Sequence, residues 1–191
     1  MSVISTRAGS LNASAEVDRS VWPLPVRWVH WLTVLLVVVA IAAVFGQDLF
    51  EEKSVHKLIM NVHKQAGVLV LILTGLRVVV RLTTQHPLDG LRGWSRRIST
   101  AAHGLIYLIL FTLPVLGWTL INARGSAVSL FGWTLPVLLA RDRDLADTLE
   151  EAHQLMGWTL MGLVVAHVLA AVWHHRVKKD RVLLAMLGRK A

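Results

Sequence analysis

The sequence predicts an all-α protein folded as an integral-membrane four-helix bundle. Three observations carry that expectation. Of 191 residues, 54% are hydrophobic and only 17% charged; four apolar stretches are long enough to cross a bilayer; and Lys and Arg gather on one side of those stretches. Soluble domains carry roughly a quarter charged residues, and a nucleic-acid binder with a formal charge of +8 would give up apolar content to hold its cations. The composition speaks against both, so no nucleic-acid partner is expected. The absence of cysteine excludes a disulfide framework, thiolate-bound iron–sulfur clusters, a redox Cys pair and the Cys-x-x-Cys-His attachment of a c-type haem. The length suits one membrane domain over residues 1–191.

Residues 1–20, rich in Ser and Ala with Arg7 and Arg19, read as a flexible cytoplasmic tail. Span one covers about 27–46; from Trp28 to Gly46 its only ionisable side chain is His30, and at about 1.5 Å per residue such a run crosses about 30 Å of hydrocarbon. Ala40-Ile41-Ala42-Ala43 resembles a signal-peptide cleavage site, but the polar lead is too long for an n-region and cleavage would discard His30. An uncleaved anchor is therefore expected. Span two, about 62–82, holds His63, Lys64, Arg77 and Arg81 near its ends, and span three, about 101–121, contains Pro114.

The loop 122–151 contains the apolar stretch Ala127 to Leu139, broken by Gly132 and Pro136. It is too short to span, so an interfacial or re-entrant piece is expected, with Trp133 at headgroup level. Span four covers about 152–174. Trp28, Trp31, Trp94 and Trp173 fall at one membrane boundary, Trp118 and Trp158 toward the other, as in an aromatic belt. Gly-Trp-Thr recurs at Gly117, Gly132 and Gly157, but at unequal spacings that give no repeat.

The N-terminus, the loop between spans two and three and the C-terminus share 14 Lys and Arg against 4 acids, a net +10; the opposite side has 6 against 8, a net −2. By the positive-inside rule both termini are cytoplasmic and the loop 122–151 is periplasmic. The excess charge thus reads as topology.

Ionisable groups inside a membrane are costly enough to mark function, which singles out the histidines. His153 and His167 are 14 residues apart on span four; at about 100° and 1.5 Å per residue they share a face and stand about 21 Å apart along the axis. His63 opens span two at the depth of His153, and His30 begins span one at the depth of His167. Two facing pairs follow, His63 with His153 and His30 with His167. Facing imidazoles inside a bundle suit the two axial positions of a haem iron, which without a Cys motif means haem b; tetrahedral zinc would want further ligands.

Gly67 and Gly157 follow His63 and His153 by four residues, either to admit a ring edge or to let helices pack closely. Arg77, 14 residues after His63, reads as a haem-propionate partner or as a snorkelling cation. His103 is a quinone or propionate contact, a proton relay or an interfacial residue. His174 and His175 compete with His167 only if span four shifts by two turns, His56 lies just before span two, and His86, beside Pro87, reads as solvated.

Over about Pro25 to Arg189 the sequence resembles the bacterial cytochrome b561 family. The resemblance is carried by Arg27-Trp28-Val29-His30-Trp31-Leu32, Met60-Asn61-Val62-His63 with Gly67, and Leu76-Arg77-Val78-Val79-Val80-Arg81-Leu82. His103-Gly104-Leu105-Ile106-Tyr107, Asn122-Ala123-Arg124-Gly125, Phe131-Gly132-Trp133-Thr134-Leu135-Pro136, and Ala166-His167 followed by Trp173-His174-His175 complete it. Together these are specific, whereas each alone is weak. The resemblance implies a multi-pass inner-membrane protein with two haem b and with His30, His63, His153 and His167 as axial ligands.

It also implies electron exchange with ubiquinone and, in one branch, oxidation of superoxide on the periplasmic side through a locally positive entrance. Here that side is net −2, and Lys57, Lys64 and Arg124 are the candidates for a local positive patch. The expected function is a quinone-linked membrane oxidoreductase that takes electrons from a periplasmic-side donor, superoxide among them, to ubiquinone. The alternative is a haem-bearing relay or anchor subunit of a larger respiratory dehydrogenase or hydrogenase complex, docking a protein partner through the outer loop and the acidic segment from Asp142 to Glu151. A transporter or channel using the histidines for protons or a metal ion is the third reading, disfavoured by the paired depths and the lack of acids in the spans.

Overall fold

The computed structural model describes residues 21–84 and 93–189. The expected tail 1–20, His86, Arg92 and Lys190 lie outside the described residues. Helix α1 spans Leu24–Gly46 and runs into a short 3-10 turn, Gln47–Leu49; α2 spans Lys53–Thr83, α3 Gly93–Ala123 and α4 Arg143–Trp173. A π-type stretch, His174–Lys178, extends α4 before the short α5, Val182–Leu187. Four segments, Leu24–Leu49, Lys53–Thr83, Gly93–Ala123 and Arg143–Lys178, are long and apolar enough to cross a membrane. Sequential neighbours pack in order, α1 on α2, α2 on α3 and α3 on α4, as short connections between antiparallel helices require.

Each of these four segments contains one of the four expected spans, but α2, α3 and α4 begin nine, eight and nine residues earlier, at Lys53, Gly93 and Arg143. Hydropathy ends a span where charge begins, whereas helical hydrogen bonding continues through polar residues. Asp142 caps α4, its carboxylate accepting from the Leu145 N–H at 3.1 Å, and the acidic segment Asp142 to Glu151 forms its first turns.

The bundle's core is Val37 of α1, Val70 of α2, Ile109 and Leu110 of α3 and Leu160 of α4. Its position follows a seven-residue step read on every helix: His30 to Val37, His63 to Val70 to Arg77, His103 to Leu110 to Gly117, and His153 to Leu160 to His167. Seven residues are about two turns, or about 10.5 Å. An apolar plug therefore separates two polar tiers, one near each end of the bundle. Outward-facing side chains such as Leu35, Ile72, Leu108, Val165 and Leu169 are aliphatic and exposed, so the bundle contacts lipid along its length.

Within the stretch expected to be interfacial or re-entrant, residues 129–134 form a short β-hairpin. Strand β1, Ser129–Leu130, pairs antiparallel with β2, Trp133–Thr134, in the register Ser129 to Thr134 and Leu130 to Trp133. Phe131 (φ 48°) and Gly132 (φ 89°) make the two-residue turn, both with positive φ, as a type I′ hairpin demands. Asn122, 2% exposed, holds the loop: its Nδ2 donates to the Ser126 carbonyl at 3.0 Å and its Oδ1 accepts from the Leu138 N–H at 2.9 Å. Trp133 is 82% exposed, as an interfacial side chain would be. At the other end α5 folds back on the start of α1, with the Trp22 N–H donating to the Ala185 carbonyl at 3.2 Å and Trp31 Nε1 to the Met186 carbonyl at 3.4 Å.

Candidate functional site

The tier nearer the hairpin is built on α2 and α4. His63 and His153 face each other with ring centroids 6.1 Å apart and planes at 79°. Both rings are fixed by the same device: Nδ1 of His63 lies 2.9 Å from the Ala40 carbonyl oxygen and Nδ1 of His153 lies 3.1 Å from that of Leu113. A carbonyl oxygen only accepts, so each Nδ1 carries the proton and donates, and each Nε2 keeps its lone pair. Neutral imidazoles oriented by a second bond to a backbone carbonyl are what a metal-ligating histidine pair requires.

Leu113 and Gly117 share a face of α3, one turn apart. A Cβ at Gly117 would stand 3.0 Å from Cε1 and 3.4 Å from Nδ1 of His153. Glycine there lets the imidazole reach the Leu113 carbonyl. Beside Gly67 and Gly157, by contrast, a Cβ would meet nothing within 4 Å. No neighbouring helix therefore packs closely on these two glycines, and the space beside each is open.

The separation fits an iron between the rings. Two metal–nitrogen bonds of about 2 Å and about 1 Å from each nitrogen to its ring centre put centroids about 6 Å apart. The donor set is right for haem b: two neutral imidazoles at one depth in an apolar bundle.

The tier nearer the termini gathers His30 of α1, Arg77 of α2, His103 and Tyr107 of α3, and His167 of α4. His30 has Arg77, His167 and His103 as its electrostatic neighbours. The Arg77 guanidinium lies over the Tyr107 ring, 4.9 Å from its centroid. His30 Nδ1 and Arg77 Nε are buried with no hydrogen-bond partner among the described residues. Buried polar atoms without partners are rare and call for one; a haem with its propionates supplies an iron for an imidazole and an anion for a guanidinium.

The sequence pairs His167 with His30 by depth, and the structure brings all three histidines of this tier together. His167 makes its ring contact with His103, at 5.1 Å and 89°. His174 is paired through Nδ1 with the Asp180 carboxylate, and His56 bonds the Phe50 carbonyl, so both have structural partners away from the tiers. Of the candidate outer positive patch, Arg124 is ion-paired with Glu150, which leaves Lys57 and Lys64 as its cations. An apolar groove of about 320 Å³ runs between α1 and α2 past Ala42, Gly46, Leu58 and Val62; its aliphatic wall suits an acyl chain rather than a quinone head group.

Sequence reasoning passed over Gly117 and Tyr107. Gly117 begins one of the Gly-Trp-Thr triplets and lies 14 residues after His103, the spacing that links His63 to Arg77 and His153 to His167. That spacing was its available signal. Tyr107 stands one turn after His103 and is the chain's single tyrosine.

Residues 21–189 match the family described as prokaryotic cytochrome b561. The chain belongs to the prokaryotic cytochrome b561 family. It is 31% identical over 164 residues to a protein of Yersinia pestis named probable superoxide oxidase CybB, covering 85% of this chain and 93% of that one. Two Escherichia coli (strain K12) proteins, cytochrome b561 homolog 1 and homolog 2, are 26% and 29% identical, each over 85% of this chain and over 94% and 88% of their own lengths. As a cytochrome b561 family member with four membrane-spanning helices, the protein is a multi-pass b-type cytochrome of the bacterial inner membrane, acting in electron transfer.

Proposed function

We propose that this cytochrome holds two haem b, one in each tier, and carries electrons between a donor on the hairpin side and ubiquinone. The observation that carries the reading is the His63–His153 pair: rings 6.1 Å apart, each with its Nδ1 donating to a carbonyl. His63 and His153 are the axial ligands of the outer haem, and His30 and His167 those of the inner one. Arg77, whose buried Nε has no hydrogen-bond partner among the described residues and whose guanidinium lies over Tyr107, binds an inner propionate. Bound haem b supplies one-electron exchange; the protein supplies ligands, a low-dielectric setting and orientation. The open space at Gly67 and Gly157 admits the macrocycle edge, and the apolar plug at Val37, Val70, Leu110 and Leu160 keeps water from the path between tiers.

The charge asymmetry, net +10 against −2, supports an orientation with both termini cytoplasmic and the hairpin periplasmic. Superoxide as donor is supported by the relative named probable superoxide oxidase. The pairing of Arg124 with Glu150 weighs against strong steering of an anion to this face. A relay subunit docking a partner through the hairpin and the acidic first turns of α4 is the second reading, favoured by the exposure of Phe131 and Trp133.

The test is a redox-titrated visible spectrum of the pure protein, with quinone and superoxide added in turn. Two b-type components that exchange electrons with quinone support the first reading. Two components inert to quinone until a copurifying partner is added favour the second, and a colourless protein contradicts both.

A further inference from the structure

The second perpendicular ring pair differs from the first in its spacing. His103 and His167 have centroids 5.1 Å apart, a full ångström closer than His63 and His153 at 6.1 Å. The two spacings match two ways of joining imidazoles. Imidazoles joined through a metal are separated by two bonds of about 2 Å each, whereas imidazoles joined by N–H···N are separated by one donor–acceptor distance of about 2.9 Å. With about 1 Å from each nitrogen to its ring centre, the first arrangement gives about 6 Å and the second about 5 Å. The shorter spacing leaves no room for an iron between His103 and His167.

His103 is prepared to accept such a bond. Its Nδ1 lies 2.6 Å from the Ser99 carbonyl oxygen one turn earlier, with the Ser99 hydroxyl at 3.4 Å. The carbonyl fixes the proton on Nδ1, so Nε2 carries the lone pair. We propose that His103 is a positioning residue for the inner haem: it accepts the ring N–H of His167 and turns the other His167 nitrogen toward the iron. This rests on the assignment of His167 as an axial ligand. At the hairpin end the same task falls to the backbone carbonyls of Ala40 and Leu113; at the terminal end a side chain, itself anchored on Ser99, takes it over.

An acceptor on the distal nitrogen makes an imidazole ligand more basic and favours ferric iron, which lowers the midpoint potential. The inner haem's potential is thereby open to a single side-chain substitution that leaves the outer haem alone.

The test uses full-length purified cytochrome with its haems, titrated potentiometrically with visible and low-temperature paramagnetic-resonance detection. His103→Leu is expected to keep both haems, to move the inner midpoint to a more positive value with an altered ferric low-spin signal, and to leave the outer component unchanged. His103→Phe, which keeps an aromatic edge against His167 without an acceptor, should behave like His103→Leu. His103→Gln, whose amide oxygen can accept, should return toward the unsubstituted protein.

An inner midpoint unmoved in both His103→Leu and His103→Phe would overturn the proposal and reduce the ring pair to edge packing. Loss of the inner haem in His103→Leu together with its survival in His30→Ala would make His103 a ligand, overturning it in another way. His167→Ala separates this from the underlying reading: if both haems survive that change, the ligand assignment itself fails whatever His103 does.

Discussion

Replacing Gly117 should separate haem binding from protein stability, because its two effects have opposite signs. A Cβ at this position lies 3.0 Å from Cε1 of His153, where carbon atoms rest comfortably at about 3.5–4.0 Å. In Gly117→Ala the imidazole must withdraw by several tenths of an ångström. Its bond to the Leu113 carbonyl, 3.1 Å long, then passes the usual limit of about 3.2 Å. Losing an orienting bond of this kind costs about 10–100-fold in metal affinity. Exchanging Gly for Ala within a helix meanwhile adds about 0.8–1 kcal/mol of helix propensity. The expected result is a protein that melts no lower yet retains one haem 10–100-fold more weakly, by the affinity cost of an orienting bond. Gly117→Leu, with three further carbons directed at the ring, should lose that haem and keep the other. The assay is haem per polypeptide by alkaline pyridine spectrum, paired with thermal unfolding in detergent. Two fully retained haems and an unchanged spectrum in Gly117→Leu would refute the placement of His153 against this glycine.

Gly67→Leu and Gly157→Leu fill space that the polypeptide leaves open; if a macrocycle edge occupies it, each should lower outer-haem content, and undiminished haem would show that the space has another use. Asn122→Ala leaves the Leu138 N–H and the Ser126 carbonyl without the partners they have now, a loss of about 2 kcal/mol; thermal unfolding should report it, with haem content unchanged, and an unshifted melting temperature would contradict the loop's dependence on this side chain. Glu150→Gln releases Arg124 from its ion pair, which contributes at most about 1 kcal/mol at an exposed site. If superoxide is the donor, its consumption should accelerate at low ionic strength and return to the original rate at high salt; equal rates at both salt concentrations would exclude steering by Arg124.

The architecture was legible because a membrane imposes strong rules on sequence. Long apolar runs give the spans, and costly intramembrane histidines give the two tiers by helical arithmetic alone. His63 and His153 came together across α2 and α4 as their matching depths required. The beginnings of α2, α3 and α4 were not legible in hydropathy, since polar turns outside the hydrocarbon remain helical. The hairpin within 127–139 was not legible, because length and apolar character say that the stretch is too short to span but not what backbone form it takes. Phe131-Gly132 decided the matter by adopting positive φ at both positions, and a Phe at the first of them is not a usual turn signal.

Depth paired His167 with His30 and did not foresee that His103 would also stand beside it, since helix arithmetic fixes height and face but not which of two adjacent helices stands nearer. The structure sets the His103 and His167 rings edge-on with centroids 5.1 Å apart, and His30 Nδ1 is buried with no hydrogen-bond partner among the described residues. Arg77 gained a similar second feature: its sequence position allowed snorkelling, and its buried Nε, with no hydrogen-bond partner among the described residues, and Tyr107 beneath the guanidinium favour an anion in the bundle interior.

The most direct test of two histidine-ligated haems is the haem content and reduced visible spectrum of a ligand series in otherwise intact protein. Two b-type components are expected in the unsubstituted cytochrome, with the same one missing in His63→Ala and His153→Ala and the other missing in His30→Ala and His167→Ala. Survival of both components in the His153→Ala, His167→Ala double variant would contradict the account.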